Sequence, residues 1–123
     1  GQHLGGYILP SYLSMHKALM SDTANININR HEPVASSGVK DGHLDTVPAN
    51  SHDAVDLGLH KMLQAAIREI CEYAKEKLGD PTEIIITGGW AKNILQYPDM
   101  PQMQHKPDLV MQGLYNIKMQ RKV

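Results

Sequence analysis

Apolar and polar positions along the 123 residues fall into segments of clearly different period. The most regular runs over 52–78. There Val55, Leu59, Met62, Leu63, Ala66, Ile67, Ile70, Ala74 and Leu78 recur in steps of three and four, which gives one apolar stripe along a helix. Asn50 or Ser51 suits the cap, and Asp53 suits the positive end of the helix dipole. Gly79 suits the left-handed residue that ends a helix, and Pro81 prevents its continuation. The β-branched run Glu83-Ile84-Ile85-Ile86-Thr87 predicts a buried strand. Gly88-Gly89 predicts a turn, 90–97 a short helix, 98–106 a loop, and 107–116 a last helix opened by Pro107. Gly113 inside that helix costs about 1 kcal/mol relative to Ala, so close packing is its expected reason.

Upstream, residues 4–9 predict a short strand broken by Pro10, and 11–20 a short helix. Gly5-Gly6 lies inside that strand, where glycine marks a bulge or a close approach to the backbone. Residues 21–50 hold no sustained period and read as a long loop or flap, with an alternating run at 25–29. A long helix, a buried strand and a further helix give an α/β order. Two or three strands are too few for a self-sufficient sheet, so further strands are expected from sequence upstream or from a partner chain.

Composition narrows the picture. The chain is 41% apolar, enough for a core, with no Phe, one Trp and five Tyr. Lys and Arg number 12 against 13 Asp and Glu, a net charge of -1, and the pI is about 6.7. That balance argues against a nucleic-acid coat, which carries a basic patch. A single cysteine, Cys71, excludes an internal disulfide framework and any zinc site needing two thiolates. A reducing, cytoplasmic setting fits that usage. No apolar run is long enough for a membrane helix, and the first residues lack the features of a signal peptide. The chain starts at Gly1 and not Met, and reads as a piece of something longer.

Candidate chemistry is concentrated at two places. The strand–turn–helix around Thr87-Gly88-Gly89-Trp90-Ala91 presents backbone N–H groups where no Cβ blocks a ligand, a natural nucleotide site and equally an ordinary tight turn. Asn50-Ser51 opens the long helix, whose N-terminus attracts anions; simple capping is the plainer reading. The seven histidines include no pair spaced i, i+4, so they read as solvated or capping residues rather than a metal site. Cys71 adjoins the apolar stripe and reads as an inert thiol. No complete catalytic constellation is present, and no metal ligand set can be named.

Three segments, in this order, resemble the C-terminal part of a type III pantothenate kinase, a family also described as Bvg accessory factor-like. Gly5-Gly6-Tyr7-Ile8-Leu9-Pro10 resembles its Gly-Gly-[Tyr/Trp]-Ile-x-Pro-Gly element, with Ser11 in place of the last Gly. Asn50-Ser51-His52-Asp53-Ala54-Val55-Asp56-Leu57-Gly58 resembles Asn-Thr-x-x-Ala-x-x-x-Gly. Thr87-Gly88-Gly89-Trp90-Ala91, followed by Pro107-Asp108-Leu109-Val110-Met111-Gln112-Gly113-Leu114, resembles Thr-Gly-Gly-x-Ala and Pro-Asp-Leu-x-x-x-Gly-Leu.

The resemblance implies an incomplete ribonuclease H-like domain of the actin, Hsp70 and sugar-kinase type, with few strands and a long helix. Residues 1–123 are then the C-terminal lobe of a two-lobed kinase that lacks the first two strands of the lobe. The implied reaction transfers the ATP γ-phosphoryl group to pantothenate, the first step towards coenzyme A. ATP with Mg2+, and K+ or ammonium, are the implied cofactors. The implied partners are pantothenate, an N-terminal lobe of the same protein and a second copy in a homodimer. Ser51 matches the pantothenate-contacting Thr, with Asn50 beside it; Gly5 and Gly6 match a strand end lining the cleft; Thr87, Gly88 and Gly89 match the turn near the adenosine. The family's phosphate loop, catalytic Asp segment and K+-binding element lie N-terminal to Gly5-Gly6, and none is in this chain. The chain alone is therefore expected to be inactive. The alternative is a non-catalytic dimerisation or interaction module built on the long helix.

Overall fold

The computed structural model describes residues 1–22 and 46–121. In order they form helix α1 (Tyr12–Asp22), helix α2 (Ser51–Leu78), strand β1 (Ile85–Ile86), helix α3 (Ala91–Ile94), strand β2 (Gln104–His105) and helix α4 (Leu109–Gln120). The described part is helix-rich with two short parallel strands, compatible with the expected α/β class.

Helix α2 is the spine, about 42 Å long at 1.5 Å per residue. Asn50 is its N-cap: the extended backbone lets the side-chain Oδ1 accept the Asp53 N–H at 2.9 Å. Gly79 closes it at φ 73°, its N–H donating to the Lys75 carbonyl at 2.9 Å. Lys75 and Lys77 in the last turn complement the dipole.

α1 packs against the first half of α2, and the turn after α3 packs on the same stretch. The core is small. Leu57 and Tyr97 are buried against Leu63, Ile94 and Met100, with Tyr12, Leu59 and Ala91 buried beside them. The apolar stripe of α2 is only partly covered, and Met62 and Leu78 remain more than half exposed. α1 and α3 are too short to screen a helix of this length.

The strands differ from the sequence reading. β1 keeps two of the five β-branched positions, and its parallel partner β2 falls in the stretch 98–106 that reads as a loop. None of the prolines there lies within β2, so its N–H groups can pair: Gln104 donates to the Ile84 carbonyl at 2.8 Å and Lys106 to the Ile86 carbonyl at 2.9 Å. The strand expected at 4–9 is absent; Leu4, Tyr7 and Ile8 are exposed, and the two described strands pair with each other. The alternating run 25–29 and most of the flap 21–50 lie outside the described residues. α4 begins at Leu109 and extends to Gln120, beyond the expected end, and buries none of its side chains. Gly113 therefore serves no close packing among the described residues, and a Cβ there would meet nothing within 4 Å.

Candidate nucleotide and substrate site

The residues singled out from the sequence are strung along α2. Ser51 is its first residue, exposed, at the rim of an apolar cavity of about 650 Å³ between α1 and α2. Met15, Leu19, Val55, Leu59 and Met62 supply most of the apolar wall. Asn50 is engaged in capping, for its Nδ2 also donates to the Asp53 carboxylate at 2.7 Å. Gly5 and Gly6 lie at the other end of α2, in a cavity of about 590 Å³ walled by Ile70, Tyr73, Ala74 and Leu78. Roughly 30 Å of helix separates that wall from Ser51. The structure thus brings Asn50 and Ser51 together, and Gly5 with Gly6, but not one pair to the other.

The third group, Thr87-Gly88-Gly89, lies in neither cavity and links β1 to α3. Gly88 has φ 96°, a region that a side chain would strain, and a Cβ at Gly88 or Gly89 would point into open space. Both glycines are exposed, and the Gly88 carbonyl accepts the Ala91 N–H at 3.2 Å as the chain turns into α3. The Thr87 hydroxyl reaches the Pro107 carbonyl at 3.4 Å, long for such a bond. Open space above a glycine turn that ends a strand suits the close approach of a phosphate or sugar.

Next to that turn is a cluster the sequence reading did not assemble. The rings of Tyr12, His60 and Trp90 lie nearly parallel, with centroids 4.7 Å apart for Tyr12 and His60, 5.3 Å for Tyr12 and Trp90, and 6.0 Å for His60 and Trp90. The Tyr12 hydroxyl donates to the Asp56 carboxylate. His60 Nδ1 lies 2.8 Å from the Tyr97 hydroxyl, and its Nε2 lies 3.6 Å from Asp56 Oδ1. A carboxylate on the Nε2 side favours the proton there, so Nδ1 accepts from Tyr97. His16 packs its ring 5.8 Å from that of Tyr12.

Two histidines therefore depart from the solvated or capping reading. His16 and His60 are 8% and 5% exposed, held under aromatic rings. The signal was present: Asp56 and His60, like Tyr12 and His16, are spaced i, i+4 and share a helical face. Burial raises both phenols. Tyr97 is pushed up to about 12 by burial, then by the Asp56 charge. Tyr12 is held well above the ordinary phenol range by burial, the hydrogen bond to Asp56 and the charges of Asp56 and Tyr97. Both stay neutral donors at any ordinary pH.

Cys71 is half-buried, and burial pushes its thiol up, with Glu72 raising and Lys75 lowering it. It is a poor nucleophile in that state. Among the described residues no group of three His, Cys, Asp or Glu side chains could hold a metal ion. Among the same residues no helix is long and apolar enough to cross a membrane.

No family model matches the chain, and no solved structure does. Curated proteins do. The chain is 32% identical over 115 residues to a type III pantothenate kinase of Azotobacter vinelandii, covering 93% of this chain and 43% of that protein. It is 35% identical over 114 residues to one of Pseudomonas paraeruginosa, again 93% of this chain and 43% of that protein. It is 32% identical over 113 residues to one of Acinetobacter baylyi, 92% of this chain and 40% of that protein. The resemblance set out from the motifs is thus borne out as similarity along nearly the whole chain, which spans about two fifths of the length of these relatives.

Proposed function

We propose that this chain is the C-terminal portion of a type III pantothenate kinase, in which ATP donates its γ-phosphoryl group to pantothenate. The observation that carries the reading is similarity of 32–35% over 92–93% of the chain to proteins of that name. The expected architecture is one lobe of an actin, Hsp70 and sugar-kinase type enzyme, with residues 1–123 completed by an N-terminal lobe. Among the described residues the two strands pair only with each other, which accords with a sheet finished by other sequence.

Within the chain, Thr87, Gly88 and Gly89 form the wall beside the adenosine, where the open turn admits ATP without a Cβ in the way. Ser51 offers a hydroxyl to pantothenate at the positive end of α2, with Asn50 fixing that end. Gly5 and Gly6 line the cleft once the strand they resemble finds its neighbours. ATP bound with Mg2+ supplies the transferable phosphoryl group. In this reading the donors for Mg2+ and for K+ or ammonium belong to the N-terminal lobe, where the resemblance puts the phosphate loop, the catalytic Asp segment and the K+-binding element. Phosphoryl transfer rests on positioning and charge stabilisation, so a chain without those groups is inactive alone.

The test is ATP-dependent phosphorylation of pantothenate with Mg2+ and K+ present. The chain is assayed alone and mixed with the separately made N-terminal part of the Azotobacter vinelandii relative. Activity in the mixture alone is expected, and Ser51→Ala in that mixture should raise the KM for pantothenate and leave that for ATP little changed. Activity from the chain alone overturns the division of labour. Silence from a mixture that co-elutes as one complex overturns the kinase reading. A second reading, a dimerisation or interaction module, is favoured by α4, whose Val110, Met111, Leu114 and Tyr115 are all more than half exposed.

A further inference from the structure

The glycine turn has little of its own to hold it. Gly88 and Gly89 are exposed and lack side chains, and the Thr87 hydroxyl makes only the long contact to Pro107. The next residue is different. The Trp90 ring lies within 18° of the plane of Tyr12 and within 17° of that of His60, at stacking distance from both. Each of those two rings is fixed at its polar edge, Tyr12 by Asp56 and His60 by Tyr97. Asp56 and His60 stand one turn apart on α2, the helix that opens at Ser51.

We infer that Tyr12 and His60 are positioning residues, whose rings clamp Trp90 and thereby set the conformation of the Thr87-Gly88-Gly89 turn relative to α2. Its functional meaning rests on the reading of that turn as the nucleotide wall. The physical reason is stiffness. A glycine pair samples many backbone states, so a binding-competent turn needs restraint from its flanks. Flat rings stacked in a dry site supply that restraint with few rotatable bonds, and the hydrogen bonds to Asp56 and Tyr97 fix the ring orientation. No ring of the stack needs to touch the nucleotide.

The chain of 123 residues is itself the test object, with Trp90 its one tryptophan, so indole emission reports this site alone. Hydrogen exchange of the amides of 88–91 is followed in the wild type, Tyr12→Phe and Tyr12→Leu, first in the chain alone and then, with and without Mg-ATP, in its co-eluting complex with the N-terminal part. Tyr12→Leu should speed exchange of the turn amides about tenfold and red-shift Trp90 emission while the middle of α2 is unchanged; Tyr12→Phe, which keeps the ring but loses the hydrogen bond to Asp56, should fall between wild type and Tyr12→Leu. If Tyr12→Leu loses helix content by circular dichroism, Trp90→Leu takes its place, with the same acceleration expected. Unchanged turn exchange in a folded Leu variant overturns the clamp. Mg-ATP should slow exchange at Gly88 and Gly89 in the wild type and lose that effect in Tyr12→Leu; a response preserved in full overturns the positioning role. No response to Mg-ATP in the wild type, with exchange still governed by Tyr12, overturns the nucleotide reading and supports the clamp.

Discussion

Tyr97 shows how one buried hydroxyl ties distant parts of the chain together. It is 4% exposed, packs on Leu57 and meets His60 of α2. Its ionisation lies near 12 in the folded chain against an ordinary 10.0, so folding favours the protonated phenol. The sign follows: this contribution to stability is complete below about pH 10 and is lost as pH rises towards about 12. Urea unfolding at a series of pH values between about 9 and 11 should therefore show a fall that is shallower in Tyr97→Phe. That variant should also lose about 1 kcal/mol at neutral pH, the net worth of one buried hydrogen bond. Single residues of this kind were the least legible in the sequence. Asp56 and His60 stand at helical spacing, but the second partner of each comes from another element, Tyr12 and Tyr97 respectively. No local pattern announces a contact across 37 or 44 residues.

Elements were read more faithfully where the signal was long. α2 was legible in its stripe, its cap Asn50 and its closing Gly79, because nearly eight turns of period and two end signals agree. The strands were not. β1 and β2 are two residues each, too short for any alternation to register, and their pairing is a tertiary fact. Residues 4–9 carry a strand composition without a strand, since β structure needs a neighbour. Two glycines separate local from tertiary demands. Gly79 sits at φ 73°, so Gly79→Ala should destabilise by about 1 kcal/mol. Gly113 stands inside α4 with open space around it, so Gly113→Ala should stabilise the chain by up to about 1 kcal/mol. Urea midpoints of the two variants check this; loss of stability in Gly113→Ala would mean that another body packs against α4 in solution.

At the scale of the whole molecule, the balance of covered and uncovered apolar surface is unusual. Among the described residues five apolar side chains are buried, whereas seventeen large ones are exposed, among them six on α4. A surface of that kind favours association. Sedimentation of the chain alone should show a weight-average mass that rises with concentration, and the completing N-terminal part should suppress that rise. A monomer at every concentration would contradict the expectation. At the candidate site, Ser51, the glycine turn and Gly5-Gly6 were each legible as motifs, but Ser51 and Gly5-Gly6 line separate cavities at opposite ends of α2, a placement no motif announces.

The contact between Tyr12 and Asp56 closes a loop of 44 residues. Chain statistics make the entropy of such a closure grow only with the logarithm of length, about 0.6 kcal/mol for each doubling. The closure term therefore sets only a weak limit on spacing: halving the number of residues between Tyr12 and Asp56 changes that term alone by about 0.6 kcal/mol.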